Sequence, residues 1–346
     1  MKAVVIEAPG KYGLQDVPKP ECPEKGLLIK ILACGLCGSD LRTLRTGHHR
    51  VKLPFIIGHE VCGQVVECGP GFSGNWKSGD ILAVSPMVYC GKCIFCRNEQ
   101  SELCNDYKEL AQVWPGGFAE FMAIPEEAIV NGSIQQVPEE LNPVHATMVE
   151  PLSSCVNAQE KGNVGLGDIV VIIGAGPVGT LHLELARLRG ADKIIVADIN
   201  GHRLDLMKPY SPDFLINSSE IDLVEKVRII TDNYGADVVI TANPSPEAQA
   251  MAVKMTKKGG RILIFGGLPS EKSCSGIDMN AVHYNGLHLI GTTVFAPRHN
   301  RIAMRLIASG RISAEKFITN ILPLERFVEG AQLALEGKVR RVVFIP

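Results

Sequence analysis

The spacing of apolar and polar positions changes character near residue 165. Before that point short apolar stretches, at 27–32, 63–67, 81–84 and 118–124, are separated by glycine and proline, the texture of a β-rich domain with functional loops. From 168 onward the chain falls into strand–helix units. The first, 169–173, reads Ile-Val-Val-Ile-Ile, an apolar run suited to a central parallel strand buried on both faces. A helical pattern over 177–189 leads to a second strand over 193–197. Further strands are predicted at 214–216, 237–241, 261–265 and 287–290, with helical patterns at 223–231 and 247–256 between them. Such alternation predicts an α/β fold with a doubly wound parallel sheet. After 292 a helix over 302–308 and a last strand over 342–345 remain, available to return to the first domain.

Composition narrows the classes. At 346 residues the chain exceeds the size at which one core keeps growing, so two domains are expected. A formal charge of −2, with no long run of one sign, gives no electrostatic footprint for nucleic acid or an anionic membrane. The opening Met1-Lys2-Ala3-Val4-Val5-Ile6 reaches Glu7 too early for a signal peptide, and no apolar run approaches a membrane span. A cytoplasmic protein is expected. The 11 cysteines then call for metal rather than disulfides, since a chain of this size needs no cross-links.

Cys90, Cys93, Cys96 and Cys104 carry the spacing C-x2-C-x2-C-x7-C inside a polar, turn-rich loop with Gly91, Lys92, Arg97, Asn98 and Glu99. Four soft thiolates with no open position describe a closed structural site for zinc. An iron–sulfur cluster is the rival, but the bacterial ferredoxin run continues x3-C-P, whereas Asn105 follows the fourth cysteine here. Gly174-Ala175-Gly176-Pro177-Val178-Gly179 directly follows the first strand of the second half and opens its helix, the context a dinucleotide fingerprint requires. Asp198 ends the next strand, where a carboxylate accepts from the ribose hydroxyls and repels a 2′-phosphate. Ile199 and Asn200 add no cation, so NAD is expected over NADP. Arg203 fits either the adenine face or a solvated helix surface. A second donor set, Cys37, His59 and Glu60 with Glu150 before Pro151, has the composition of a zinc site that keeps a position open.

These motifs together resemble the zinc-dependent medium-chain dehydrogenases, with sorbitol and threonine dehydrogenases closest in pattern. The resemblance spans essentially the whole chain and rests on Cys37-Gly-Ser-Asp40, Gly58-His-Glu-x-x-Gly63, the four-cysteine lobe, Glu150-Pro151-Leu152 and GAGPVG with Asp198. It implies a GroES-like β-barrel over 1–150 with a catalytic and a structural zinc, a Rossmann NAD-binding domain over 151–292, and a return of 293–346 to the barrel. Cys37 and His59 would hold the catalytic zinc, with Glu60 and Glu150 sharing the remaining positions, and Asp40 would fix the His59 tautomer. Ser39 would take the proton of a zinc-bound secondary alcohol while its hydride passes to NAD.

Many relatives continue the proton relay with histidine where this chain has Arg42, which accepts no proton at neutral pH. The relay would then end in water or at His48 or His49. Sorbitol dehydrogenases place Arg-Tyr after Val-Phe, whereas Ala296-Pro297 follows Val294-Phe295 here. Arg298, His299 and Arg301 could reach a phosphorylated or carboxylated substrate or begin a solvated helix. Phe118 and Trp114 are expected in the core. The expected function is oxidation of a polyol or sugar alcohol with NAD by a homodimer or homotetramer. L-threonine, a sugar acid or a sugar phosphate are alternative substrates; a non-catalytic zinc- and nucleotide-binding regulator is the alternative of another class.

Overall fold

A computed structural model describes the backbone of all 346 residues and the side chains of all but Ser133 and Ser270. Its contacts separate two units: Met1–Ser153 together with Val294–Pro346, and Ser154–Thr293.

The first unit opens with an antiparallel hairpin, Lys2–Ala8 against Lys11–Asp16, turned at Gly10 with φ 77°. Apolar spacing does not announce it: the first strand packs a short run, Ala3 to Ile6, while the second reads Lys-Tyr-Gly-Leu-Gln-Asp. The main sheet runs Asn320–Pro323, Val342–Ile345, Leu27–Gly35, Glu60–Cys68, Ile81–Val88 and Lys108–Glu109. Phe121–Ile124 and Gly132–Gln136 branch onto the third and fifth of these. The C-terminal strand therefore hydrogen-bonds beside Cys34 and Gly35, although it lies some three hundred residues away in the chain. Alternation fills the interior with Ile29, Val61, Leu82 and Phe118, and Phe118 meets Phe327 at 4.8 Å between ring centres. Burying each such side chain contributes about 1.5–3 kcal/mol. Trp114 packs against the same core.

In the second unit six parallel strands form one sheet: Ile169–Ile173, Lys193–Asp198, Phe214–Asn217, Ala236–Thr241, Thr256–Ile264 and His288–Gly291. Their spatial order is third, second, first, fourth, fifth, sixth, the order of the dinucleotide-binding fold. Val171, Ile195, Val239 and Ile262 are fully buried on its face. The fifth strand starts at Thr256, earlier than the apolar run suggests, because Lys257, Lys258 and two glycines carry backbone pairing without apolar side chains. Among the described residues no helix is long and apolar enough to cross a membrane.

Candidate metal centres and nucleotide turn

The four-cysteine lobe is built by short-range geometry. Cys90 follows the strand Ile81–Val88, Cys93 caps the short helix Ile94–Arg97, and Cys104 follows the turn Ser101–Leu103. All four Sγ atoms lie within 4.8 Å of one another, with Cys93 to Cys96 at 3.5 Å and Cys90 to Cys96 at 4.0 Å. A tetrahedral site with zinc–sulfur bonds of about 2.3 Å needs sulfurs about 3.8 Å apart, so the donors stand at metal spacing rather than at disulfide spacing. Backbone N–H groups of Cys93, Cys96 and Cys90 donate to the sulfurs of Cys90, Cys93 and Cys104, at 3.4, 3.5 and 3.3 Å. The bond from Cys96 N–H leads in lowering the Cys93 thiol to about 6, while burial pushes Cys96 up to about 12.

The second cluster gathers donors from two segments, the turn at Cys37 and the adjacent pair His59 and Glu60. Cys37 precedes the helix Gly38–Thr46, where one Asp40 oxygen accepts from the Cys37 amide at 3.0 Å. The other Asp40 oxygen meets His59 Nδ1 at 3.1 Å, so a single buried carboxylate both caps the helix and orients the imidazole. With Nδ1 committed to Asp40, Nε2 offers its lone pair to a ligand. Ser39 Oγ stands 3.5 Å from that Nε2. Cys37, His59 and Glu60 present donor atoms within 4.8 Å of one another. His59 can sit here because Gly58, at φ 102°, passes close under Phe118: a Cβ would approach its ring to 2.8 Å.

Glu60 is fully buried. Its Oε2 pairs with Arg341 Nη2, and its Oε1 has no hydrogen-bond partner among the described residues. Burial raises the Glu60 carboxyl, against the pull of Arg341 and His59. Burial likewise lowers the His59 imidazole, but Asp40 and Cys37 outweigh it and hold it well above its ordinary value. A Cβ on Gly35 would collide with Glu60 Oε2 and stand 2.7 Å from Arg341 Nη2, so glycine makes room for the ion pair. Glu150, in the first turn of the helix Val149–Lys161, lies outside the 4.8 Å set. Burial pushes it up to about 8, with His59 opposing and Glu60 adding to the shift. The residues fit zinc: a thiolate, an imidazole and a carboxylate whose free oxygen is buried without a partner.

In the second unit Gly174, at φ 122°, turns the chain beneath the Ala242 carbonyl, which a Cβ would approach to 2.8 Å. A Cβ on Gly179 would collide with the Gly174 carbonyl. At Gly176, which caps the helix Pro177–Leu188, a Cβ would meet nothing within 4 Å, leaving open space for a phosphate group at the helix start ahead of Pro177 and Val178. Asp198 accepts from the Ala175 amide at 2.8 Å and the Asn200 amide at 2.9 Å, tying the glycine turn to the next strand. Each of its oxygens keeps a lone pair for a ribose hydroxyl. Arg203 is half-buried, its amide capped by Asn200 at 3.2 Å.

Three residues important to these sites carry no local sequence signal. Arg341 and Gly35 reach Glu60 only through strand pairing, and Glu109 reaches the neighbourhood of His59 through a loop. His299 is fully buried, with its Nδ1 accepting from the Ala296 amide at 2.9 Å, so it caps the helix Pro297–Ala308.

A mixed sheet with two metal-donor clusters, joined in one chain to a dinucleotide-type sheet, defines the class of zinc-dependent dehydrogenases. Residues 23–136 match the alcohol dehydrogenase GroES-like domain and residues 177–309 match the zinc-binding dehydrogenase domain, so the chain belongs to the zinc-dependent alcohol dehydrogenase family. It is 34% identical over its whole length to 98% of L-threonine 3-dehydrogenase of Pyrococcus horikoshii. It is also 32% identical to D-arabitol-phosphate dehydrogenase of Enterococcus avium, over 99% of the chain and 97% of that protein. A Sinorhizobium meliloti protein solved with NADP superposes with a TM-score of 0.90 at 28% identity, covering 100% of this chain and 99% of that one. The chain is therefore a zinc-dependent oxidoreductase with a GroES-like and a Rossmann domain, acting on a small-molecule alcohol.

Proposed function

We propose that the chain oxidises a secondary alcohol of the polyol type with NAD, through Cys37, His59, Glu60 and Glu150 as the zinc-holding set. The observation that carries this reading is the convergence of Cys37, His59 and Glu60 beside Ser39 Oγ, with Glu60 Oε1 buried and unpartnered. When bound, zinc supplies Lewis acidity that lowers the alcohol's pKa, and NAD supplies the hydride acceptor.

The remaining roles belong to side chains. Asp40 keeps His59 in the tautomer whose Nε2 faces the donors. Ser39 takes the alcohol proton and releases it towards water or the histidines at 48 and 49, because Arg42 cannot accept it. Glu60, held on one side by Arg341, and Glu150 share the carboxylate positions. Gly174, Gly176, Pro177, Val178 and Gly179 receive the pyrophosphate, Asp198 the adenosine ribose, and Arg203 the adenine side. Cys90, Cys93, Cys96 and Cys104 hold a structural zinc. In this division 1–150 carries both metals, 151–292 the nucleotide, and 293–346 completes the first domain. The edge strand His288–Gly291 offers an unpaired row for a second copy, giving a homodimer or homotetramer in the reducing cytoplasm.

The test is an initial-rate panel of polyols, polyol phosphates, sugar acids and L-threonine with NAD and NADP, run on protein of measured zinc content. Two zincs per chain are expected, with alcohol-dependent NADH formation and a preference for NAD over NADP that Asp198→Ala reduces. A preference for NADP, matching the Sinorhizobium relative's bound cofactor, would overturn the NAD assignment. One zinc confined to the cysteine lobe with no turnover would support the regulatory reading instead. Preference for L-threonine over every polyol would move the substrate to an amino acid, as in the Pyrococcus relative's name.

A further inference from the structure

Between Asp40 and His59 the chain carries four permanent cations, Arg42, Arg45, Arg50 and Lys52, plus His48 and His49, and no carboxylate. Among the described residues only one carboxylate pairs with any of these four: Glu109 Oε1, 3.7 Å from Arg50 Nη1. The segment packs tightly after the helix: the His48 and His49 rings lie 4.6 Å apart between centres, and the Arg50 guanidinium lies 4.8 Å over the Tyr107 ring. Burial, followed by His49, Arg50 and Arg42, holds the His48 imidazole below its ordinary value. Gathered like charges destabilise a fold unless a ligand of opposite sign answers them.

This cluster adjoins the zinc-type donors. Arg42 follows Ser39 by three residues on the helix Gly38–Thr46, which places both on one face, and Ser39 Oγ is 3.5 Å from His59 Nε2. Glu109 ends the strand Lys108–Glu109 and begins a tight loop that passes Ala111 at φ 68°. The far end of that loop is bonded to the backbone just before His59: Gly116 donates to Ile56 O and Gly117 to Gly58 O, each at 2.8 Å. Gln112 holds Glu109 Oε2. At 3.7 Å Arg50 lies outside hydrogen-bond reach of Oε1, which keeps its lone pairs for a hydroxyl donor.

We propose that Arg42 and Arg50 bind a phosphate monoester and Glu109 binds a hydroxyl of the same molecule, making a polyol phosphate the substrate class of this zinc site. The inference rests on the dehydrogenase reading above and refines its substrate. Arginine's planar fork matches phosphate oxygens two at a time, which lysine does not. A neutral polyol would leave the cations unanswered. A zwitterionic amino acid would balance Arg50 against Glu109 and leave Arg42 and its neighbours in excess. A dianion carrying hydroxyls satisfies both charges present.

The experiment compares kcat/KM for one pentitol with that for its monophosphate, using the zinc-loaded protein and NAD. A sugar acid of the same length and L-threonine are separate arms, and inorganic phosphate is tested as a competitive inhibitor. The phosphate ester is expected to lead by roughly a hundredfold, in line with two charge-assisted hydrogen bonds. R42A/R50A should bring that ratio near one, while the like-charged surface variant K208A leaves it unchanged; thermal midpoints check that all variants fold. Inhibition by inorganic phosphate should weaken in R42A/R50A in parallel. A ratio near one in the native protein, or a ratio unmoved in R42A/R50A, would overturn the inference and leave the dehydrogenase reading intact. Preference for the sugar acid or L-threonine would overturn it as well, by assigning the cations to a carboxylate. Failure of every alcohol to reduce NAD would overturn both readings.

Discussion

The two metal-donor clusters of the first unit are assembled by opposite means. Cys90 to Cys104 come from one loop and converge through turns and backbone N–H bonds to their own sulfurs. Cys37 comes from one segment and His59 with Glu60 from another, and the set depends on Asp40, Gly35 and Arg341, the last of them 281 residues from Glu60. Four thiolates around one metal would close its shell, an arrangement suited to holding a loop. The dispersed set leaves a carboxylate oxygen and a serine hydroxyl facing the donors, which is what a reacting centre needs. Long-range construction is also fragile, since each distant partner is a way to break it.

The largest effect should come from testing the division of labour directly. If Cys37, His59 and Glu60 hold the reacting metal as proposed, Cys37→Ser should lower kcat/KM by roughly a thousandfold or more, with little loss of melting temperature. Cys96→Ser should do the reverse: turnover per folded molecule holds, one zinc is lost by metal analysis, and the melting temperature of the first unit falls by about 4–8 °C, equivalent to roughly 2 kcal/mol in a unit of that size. If both variants lost turnover equally while keeping their melting temperatures, the contrast between the clusters would be gone.

Next in size is the buried ion pair. Arg341 and Glu60 are 3% and 0% exposed, so removing one partner strands a charge in the interior. Arg341→Met should destabilise the first unit by about 3–5 kcal/mol, and adding Glu60→Gln should restore most of it. Trp76 and Trp114, the chain's 2 tryptophans, both lie in that unit, so fluorescence during urea unfolding reports on it. Effects that simply add in the double variant would show that the pair is not coupled.

The same contrast explains what could be read from the chain beforehand. The cysteine quartet and the glycine turn are legible because their geometry is set by residues a few positions apart, where spacing and turn chemistry act. The parallel sheet is legible because strands buried on both faces read as continuous apolar runs. Arg341 is not legible: it looks like any basic residue near a C-terminus until Val342–Ile345 pairs beside Gly35. Glu109 carries no local signal of its own, and the loop that follows it, bonded to Ile56 and Gly58, returns the chain to the segment before His59, whose charge acts on Glu109. The hairpin at 2–16 is hidden because its second strand is polar and its register comes from cross-strand pairing rather than from its own pattern. His299, by sequence either a substrate contact or part of a solvated helix start, is buried at that start, where its Nδ1 accepts from the Ala296 amide.

The smallest effect concerns the local cluster alone and asks whether its backbone donors favour particular thiolates before any metal arrives. An alkylating reagent reacts with the thiolate, not the thiol. In metal-stripped protein Cys93, brought to about 6 chiefly by the Cys96 N–H, is mostly ionised at pH 7, whereas Cys96, pushed up to about 12 by burial, is not. Cys93 should therefore be alkylated by iodoacetamide at least roughly tenfold faster than Cys96, allowing for the lower nucleophilicity of the more acidic thiol. The sign of the pH response separates them further: the Cys93 rate levels off above neutral pH and falls below pH 6, while the Cys96 rate keeps climbing into strong base. Peptide mass spectrometry after timed labelling reads both rates in one sample. Zinc added first should protect both sulfurs together, because a closed four-thiolate shell leaves neither free to attack. Equal labelling of the two in metal-stripped protein would mean the loop offers no preformed thiolate. The local cluster would then depend on its metal for its chemistry as much as the dispersed one depends on Asp40 and Arg341.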